Sequence, residues 1–250
     1  MSEQGAKTAL VTGASRGIGR AVAIRLARDG MRVGVHYGNS AQGAAATVAA
    51  IEAAGGTAFP VQARLDQPSG VAQLWARFDE HADGLDVLVN NAAVLGRRHG
   101  FADVEAAELD DVFAVNVRAP FLLTQAALPR LRDRGRIVNV STTFTHGAAN
   151  PDLLPYTMSK AAIDAFTATL AKQLGERGIT VNAVGPGAVA TDMNADSLAT
   201  PEDRALIAAT SPLDRVAEPE DIADVVAFLA SEDARWITGQ WIDASGGSLL

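Results

Sequence analysis

Residues 12–19 read Thr12-Gly13-Ala14-Ser15-Arg16-Gly17-Ile18-Gly19, between a β-branched run at 8–12 and an amphipathic stretch at 17–28. A strand, a glycine-rich turn and a helix make the first part of a βαβ unit. Glycines at Gly13, Gly17 and Gly19 permit tight backbone geometry and close approach of a diphosphate. The helix opening at this point offers free N–H groups and the positive end of its dipole. The spacing is GxxxGxG rather than the commoner GxGxxG, and glycine trios also occur in ordinary turns. Its place after the first strand and before a helix points to a dinucleotide-phosphate turn.

The same rhythm continues outward. Further β-branched runs lie at 32–36, 57–61, 85–90, 136–141, 179–184 and 240–242. Helical patterns lie between them at 41–54, 68–81, 104–132, 154–176 and 219–230. This alternation predicts an α/β fold with a parallel sheet covered by helices on both faces. Right-handed crossovers make that sheet doubly wound. No composition shift marks a second domain, so residues 1–250 read as one unit. Two segments, 141–155 and 185–212, are loop-like and follow strands. Both should leave the carboxyl edge of the sheet, where ligands bind in such folds.

Composition narrows the function. The chain has 250 residues, 48% of them hydrophobic, enough for a large core. Its net charge is −8 and it has no basic run, so nucleic acid and anionic membrane are poor partners. Without cysteine there is no disulfide, and with His36, His81, His99 and His146 scattered, no metal site is expected. Residues 1–7 are polar and no run reaches 18 apolar residues, so neither signal peptide nor membrane span is expected. A cytoplasmic protein is the resulting expectation.

Cofactor choice is read from the second strand. Sites that prefer NAD(H) place Asp or Glu at its end to hold the ribose 2′-hydroxyl. Here the chain reads His36-Tyr37-Gly38-Asn39-Ser40, with no carboxylate, while Arg16 in the first turn can meet a 2′-phosphate. NADP(H) is favoured over NAD(H).

Tyr156 and Lys160 stand four residues apart at the start of a helical pattern, hence on one helical face. The chain has only two tyrosines and three lysines, so an ordinary surface pair is a weak explanation. Carbonyl reduction needs a proton at oxygen as hydride reaches carbon. A neighbouring ammonium should lower the phenol's pKa toward the working range.

Taken together, Thr12–Gly19, Asn90-Asn91-Ala92, Asn116, Tyr156–Lys160, Pro186-Gly187 and the closing Gly239…Gly246-Gly247 occur in order. With these motifs the chain, from about Lys7 to Gly247, resembles the short-chain dehydrogenases/reductases of about 250 residues. The resemblance implies a Rossmann-like, seven-stranded parallel sheet, a ketoreductase-like activity and a homotetramer or homodimer. It implies a catalytic Asn116, a Ser-equivalent, Tyr156 and Lys160, with Asn116 supporting a water that relays protons to the lysine. It implies a cofactor surface of Gly13, Ser15, Arg16, Gly17, Ile18, Gly19, Asn39, Ser40, Leu65 and Ala92, with Asn90 on the adenosine side. Pro186, Gly187, Val189 and Thr191 match the carboxamide loop, and Tyr156 and Lys160 also touch the cofactor.

The sequence departs from the family in three places. Ala93 replaces the usual glycine after Asn90-Asn91-Ala92, and Arg64 stands where an acidic residue often follows the third strand, with Asp66 two residues on. The catalytic serine is also absent. Counting from the fifth strand gives Thr142, counting back from Tyr156 gives Thr143, and Ser141 is the nearest serine. Strand alternation should turn Ser141 away from the face of Thr142, and Thr142 is the assignment.

Val94, Leu95, Phe144, His146, Leu153, Leu154, Met193 and Leu198 form an expected apolar substrate wall, which suits a fairly bulky ketone. His146 reads more readily as a surface histidine than as a substrate contact, and Trp75, Trp236 and Trp241 as core or subunit packing. Residues 191–212 form an expected lid. The rival readings are an NADP(H)-sensing regulator, which would not need Tyr156 with Lys160, and an epimerase or dehydratase that retains its cofactor. The latter usually has a larger carboxyl-terminal substrate domain than this tail allows.

Overall fold

The computed structural model describes residues 6–250. The first half alternates β1 (Thr8–Val11), α1 (Gly17–Arg28), β2 (Arg32–Tyr37), α2 (Ala41–Ala53), β3 (Thr57–Gln62), α3 (Gly70–Asp79) and β4 (Leu85–Asn90). The second half runs α4 (Ala106–Phe113), α5 (Ala119–Ala127), β5 (Leu131–Val140), α6 (Leu154–Leu174), β6 (Thr180–Pro186), α7 (Pro201–Ala208), α8 (Pro219–Ala230) and β7 (Trp241–Ala244). All seven strands are parallel, in the order β3-β2-β1-β4-β5-β6-β7. The winding direction therefore reverses between β1 and β4, which opens a crevice at their carboxyl ends.

Side-chain alternation divides the interior into two cores. Val11, Val33, Val89 and Val138 pack with Val22, Leu26 and Val226 on one face of the sheet. Leu10, Leu88, Ile137 and Val181 pack with Leu74, Phe78, Leu123 and Leu170 on the other. Because both faces are covered, the central strands read as nearly continuous apolar runs.

Three elements differ from expectation. The pattern over 104–132 is not one helix. A π-helical turn at Ala114–Arg118 separates α4 from α5, and β5 already begins at Leu131. Apolar periodicity cannot register one extra residue in a turn, and Pro120 sits at the start of α5, where its missing N–H costs nothing. The segment 185–212 contains α7, whose Thr200 and Asp203 form a reciprocal capping box. Among the described residues, no helix is long and apolar enough to cross a membrane.

Candidate active site

The crevice is a single cleft of about 1170 Å³ that runs from the glycine turn to the loops after β5 and β6. Gly13 and Gly17 hold left-handed backbone, at φ +66° and +53°. A Cβ on Gly19 would stand 2.3 Å from Gly13 O and 2.5 Å from Asn91 Nδ2. The turn is thus closed from within by atoms that leave no room for a side chain. No side chain caps α1, so its first N–H groups remain free at the cleft.

His36 fixes this turn to the sheet. Its Nδ1 accepts the N–H of Gly13 at 3.1 Å, and Nε2 donates to Ala63 O at 3.1 Å. Burial pushes its pKa down to about 4, against the weaker opposing effect of Ala63 O. The ring is therefore neutral, with its proton on Nε2. In the sequence, the one sign of this role is the position of His36 near the end of β2, at the ligand edge.

The expected nucleotide-side residues gather along this half of the cleft: Ser15, Arg16, Ile18, Asn39, Ser40, Leu65 and Ala92 all line it. Ser40 also caps α2 by accepting from Gly43 N. Arg16 is exposed and lies 3.3 Å from Asp192. Arg64 binds Asp66, and this guanidinium contact holds the Asp66 carboxyl down at about 2. Asn90 is not in the cleft. Its Nδ2 donates to Thr124 Oγ1 and Asn139 Oδ1, beneath the sheet's end. The adjacent Asn91 faces the turn instead, donating to Thr12 O at 2.8 Å. The period of two along β4 separates them.

At the other side of the crevice, Tyr156 and Lys160 rise from the first turns of α6, both buried. Lys160 Nζ donates to Val140 O at 2.6 Å and stands 5.7 Å from the centre of the Tyr156 ring. The Thr142 side chain faces the Tyr156 hydroxyl. Burial pushes the phenol up to about 12, and Thr142 opposes it. This departs from the expectation that the lysine lowers it: desolvation of the phenolate dominates, and the opposing influence comes from Thr142. Burial also pushes Lys160 down to about 8, with the Asp164 carboxylate acting in the opposite sense.

Thr142 therefore faces the phenol. Ser141, one residue earlier, faces Asp164 on the other side. Thr143 is buried and also lines the cleft. Asn116 lies in the π-helical turn. Its Oδ1 accepts from Val94 N at 2.9 Å, while Nδ2 donates to Val94 O and to Ser159 Oγ. Between Asn116 and Lys160 is a cavity of about 10 Å³, close to the space of one water.

Pro186, Gly187, Val189 and Thr191 edge the middle of the cleft. Val94, Leu95, Phe144, Leu153, Met193 and Leu198 of the expected apolar wall also line the cleft. His146 and Leu154 do not belong to that wall. His146 stacks on Trp241 at 3.9 Å, and the Leu154 side chain is partly in solvent. Trp75 is core, whereas Trp236 is 96% exposed.

Comparison with known proteins agrees with this architecture. The family model described as enoyl-(acyl carrier protein) reductase matches residues 13–248. An uncharacterized oxidoreductase of Methylorubrum extorquens is 44% identical over 251 residues, covering 99% of each chain. The promiscuous reductase LugOII, which catalyses keto-reduction at C1 during lugdunomycin biosynthesis, is 47% identical with a TM-score of 0.91, over 98% of each chain. The angucycline C-6 ketoreductase LanV, solved with bound NADP, is also 47% identical at a TM-score of 0.91, over 97% of this chain and 95% of that one. These matches run from the glycine turn to the last strand, and by them the chain belongs to the short-chain dehydrogenase/reductase family, whose members are NAD(P)-dependent oxidoreductases of carbonyl and alcohol groups.

Proposed function

We propose that this protein reduces a ketone on a bulky, largely apolar polycyclic substrate with NADPH, and that Tyr156 is the proton donor. The observation that carries this reading is one buried cluster, Tyr156 facing Thr142 beside Lys160, opening onto the same cleft as the glycine turn. The residues present fit the dinucleotide. The crowding at Gly13 and Gly19 and the uncapped start of α1 leave backbone N–H groups where a diphosphate would lie. Arg16 is the cation for a 2′-phosphate, and the segment after β2 offers no competing carboxylate.

The cofactor supplies a hydride to the carbonyl carbon; the chain handles the proton. Thr142 and Tyr156 hold the carbonyl oxygen by hydrogen bonds. A phenol at about 12 stays protonated at neutral pH, which is the state needed to donate. The alkoxide oxygen formed on reduction is a far stronger base than a phenolate and takes that proton. Lys160, as the ammonium, stabilises the phenolate left behind. The cavity beside Asn116 gives a water a place from which Lys160 regains contact with protons. The segment 191–212 closes over the substrate as a lid, tied by Arg98 Nη2 to Ser197 Oγ at 3.0 Å and by Asn194 Nδ2 to Val189 O at 2.9 Å.

The apolar wall and the ketoreductase relatives with polycyclic substrates support ring ketones over small polar ones. The test is NADPH oxidation with tricyclic and tetracyclic aromatic ketones beside short aliphatic ketones and sugars. Turnover should favour the first group, and Tyr156→Phe should lower kcat by roughly 10²–10⁴-fold while NADPH still binds. NADPH binding with no turnover on any ketone, and no effect of Tyr156→Phe, would instead indicate a nucleotide sensor.

A further inference from the structure

Tyr156 and Lys160 are the first two members of a longer series. Asp164 lies a further four residues along α6, so the three side chains follow one face of the helix. Asp164 is largely buried, with 15% of its side chain accessible. Neither of its oxygens has a well-formed hydrogen bond. The groups that face it come from two elements. The Ser141 hydroxyl approaches from the end of β5, and Thr145 and His146 approach from the loop that follows. Thr145 Oγ1 already donates to Thr142 O at 2.9 Å, so its proton is committed elsewhere. His146 Nδ1 stands 3.7 Å from Asp164 Oδ2, on a ring held against Trp241. From α6 itself the charged neighbour is Lys160.

Burial raises the Asp164 pKa above its ordinary value, while Ser141, Thr145, His146 and Lys160 act to lower it, and a carboxylate with neither a bonded cation nor a full set of donors is costly to bury. Lys160 has the complementary problem. It is a buried ammonium whose identified hydrogen bond is to one carbonyl, Val140 O. No other charged group acts on it, and the Tyr156 phenol beside it is neutral. Two opposite charges in a medium of low polarity interact over several ångströms without touching.

We propose that Asp164 is a positioning residue of the reaction, a buried counter-charge that keeps Lys160 in its ammonium form, with His146 as its contact with solvent. The proposal rests on the proton-transfer reading of Tyr156 and Lys160 given above. The Lys160 pKa of about 8 already contains the support of Asp164 and would fall without it. The fraction of ammonium at neutral pH would then become the limiting quantity.

The chain has three lysines, and Lys7 and Lys172 are exposed, so a lysine-labelled sample gives three side-chain signals with two internal controls. The experiment is a ¹⁵Nζ/¹³Cε NMR titration of wild type, Asp164→Asn and Asp164→Glu. In Asp164→Asn the Lys160 midpoint should drop by about one unit or more, with Lys7 and Lys172 unmoved. Asp164→Glu should restore most of the difference. The basic limb of kcat for ketone reduction should move down by the same amount. An unchanged Lys160 midpoint in Asp164→Asn overturns the proposal, whatever happens to activity. Should Asp164→Asn fail to fold, the wild-type titration decides alone. The Lys160 signal must show a second inflection at the pH where Asp164 takes up its proton, and its absence overturns the proposal. These NMR readouts need no substrate. A shift in Lys160 in a protein that reduces no ketone would sink the ketoreductase reading and leave only the charge coupling between Asp164 and Lys160.

Discussion

His36 Nδ1 accepts the backbone N–H of Gly13, so the imidazole at the end of β2 is part of the glycine turn rather than a neighbour of it. With Nε2 donating to Ala63 O, the ring bridges the turn after β1 to the end of β3. Only the neutral tautomer can make both bonds, because an imidazolium has no acceptor.

This arrangement makes stability depend on acid. His36 is depressed to about 4 in the folded chain from an ordinary 6.5. Above about pH 6.5 neither folded nor unfolded chain binds this proton, and the contribution is fully present. Between about 6.5 and about 4 only the unfolded chain takes it up, so stability falls as pH falls. A depression of this size is linked to about 3 kcal/mol. Urea midpoints across that window should decline in wild type and decline less in His36→Gln. Parallel declines in both proteins would remove His36 from the explanation.

Gly19 is the second structural requirement of the turn. The Cβ of Gly19→Ala would overlap Gly13 O, a backbone atom that cannot swing aside. The variant should lose NADPH binding by at least about tenfold through displacement of the turn. Fluorescence titration with NADPH is the check, and wild-type affinity would show that the turn yields more than its packing suggests.

Thr142 and its neighbours can be separated by substitution. Thr142→Val removes the hydroxyl that meets Tyr156 and should reduce kcat by roughly 10²–10³-fold, the usual cost of one donor at a developing oxyanion. Thr142→Ser should stay within about tenfold of wild type, since it keeps the oxygen. A larger loss in Thr143→Val than in Thr142→Val would transfer the role to Thr143.

Arg16 stands 3.3 Å from Asp192 with both side chains about three-quarters exposed, so the pair itself contributes little. The role proposed for it is toward a 2′-phosphate. Arg16→Ala should raise the KM for NADPH by roughly 10- to 100-fold and leave that for NADH nearly unchanged. Equal changes for both cofactors would show that Arg16 does not read the phosphate.

The amino-acid sequence made some of this legible and hid the rest, for physical reasons. Strands such as Leu85–Asn90 and helices such as Gly17–Arg28 and Pro219–Ala230 were readable because burial imposes a period on their apolar residues. Among candidate site residues, Tyr156 with Lys160 was visible from four-residue spacing alone. Asp164 repeats that spacing and could have been found by extending it one turn. The direction of the Tyr156 pKa was not legible, because it depends on how much water the fold excludes, and spacing carries no information about that. Asn90 and Asn91 are adjacent and chemically identical, so only strand register separates the structural amide from the one at the turn.

The wide turn at Ala114–Arg118 is a point where the helix can lose a residue without turning its flanks. Each residue in a regular helix advances the side chains by about 100°, so a deletion within α5 would swivel everything beyond it. The π-helical turn instead carries one residue more than an α-turn, and excising one lets it close as a regular turn while α4 and α5 keep their mutual phase. The loss falls on Asn116, whose amide would be drawn from Val94 N and O, while the face of α5 centred on Leu123 stays against the sheet. An in-frame loss of one codon here would strip the site of its asparagine and spare the hydrophobic core.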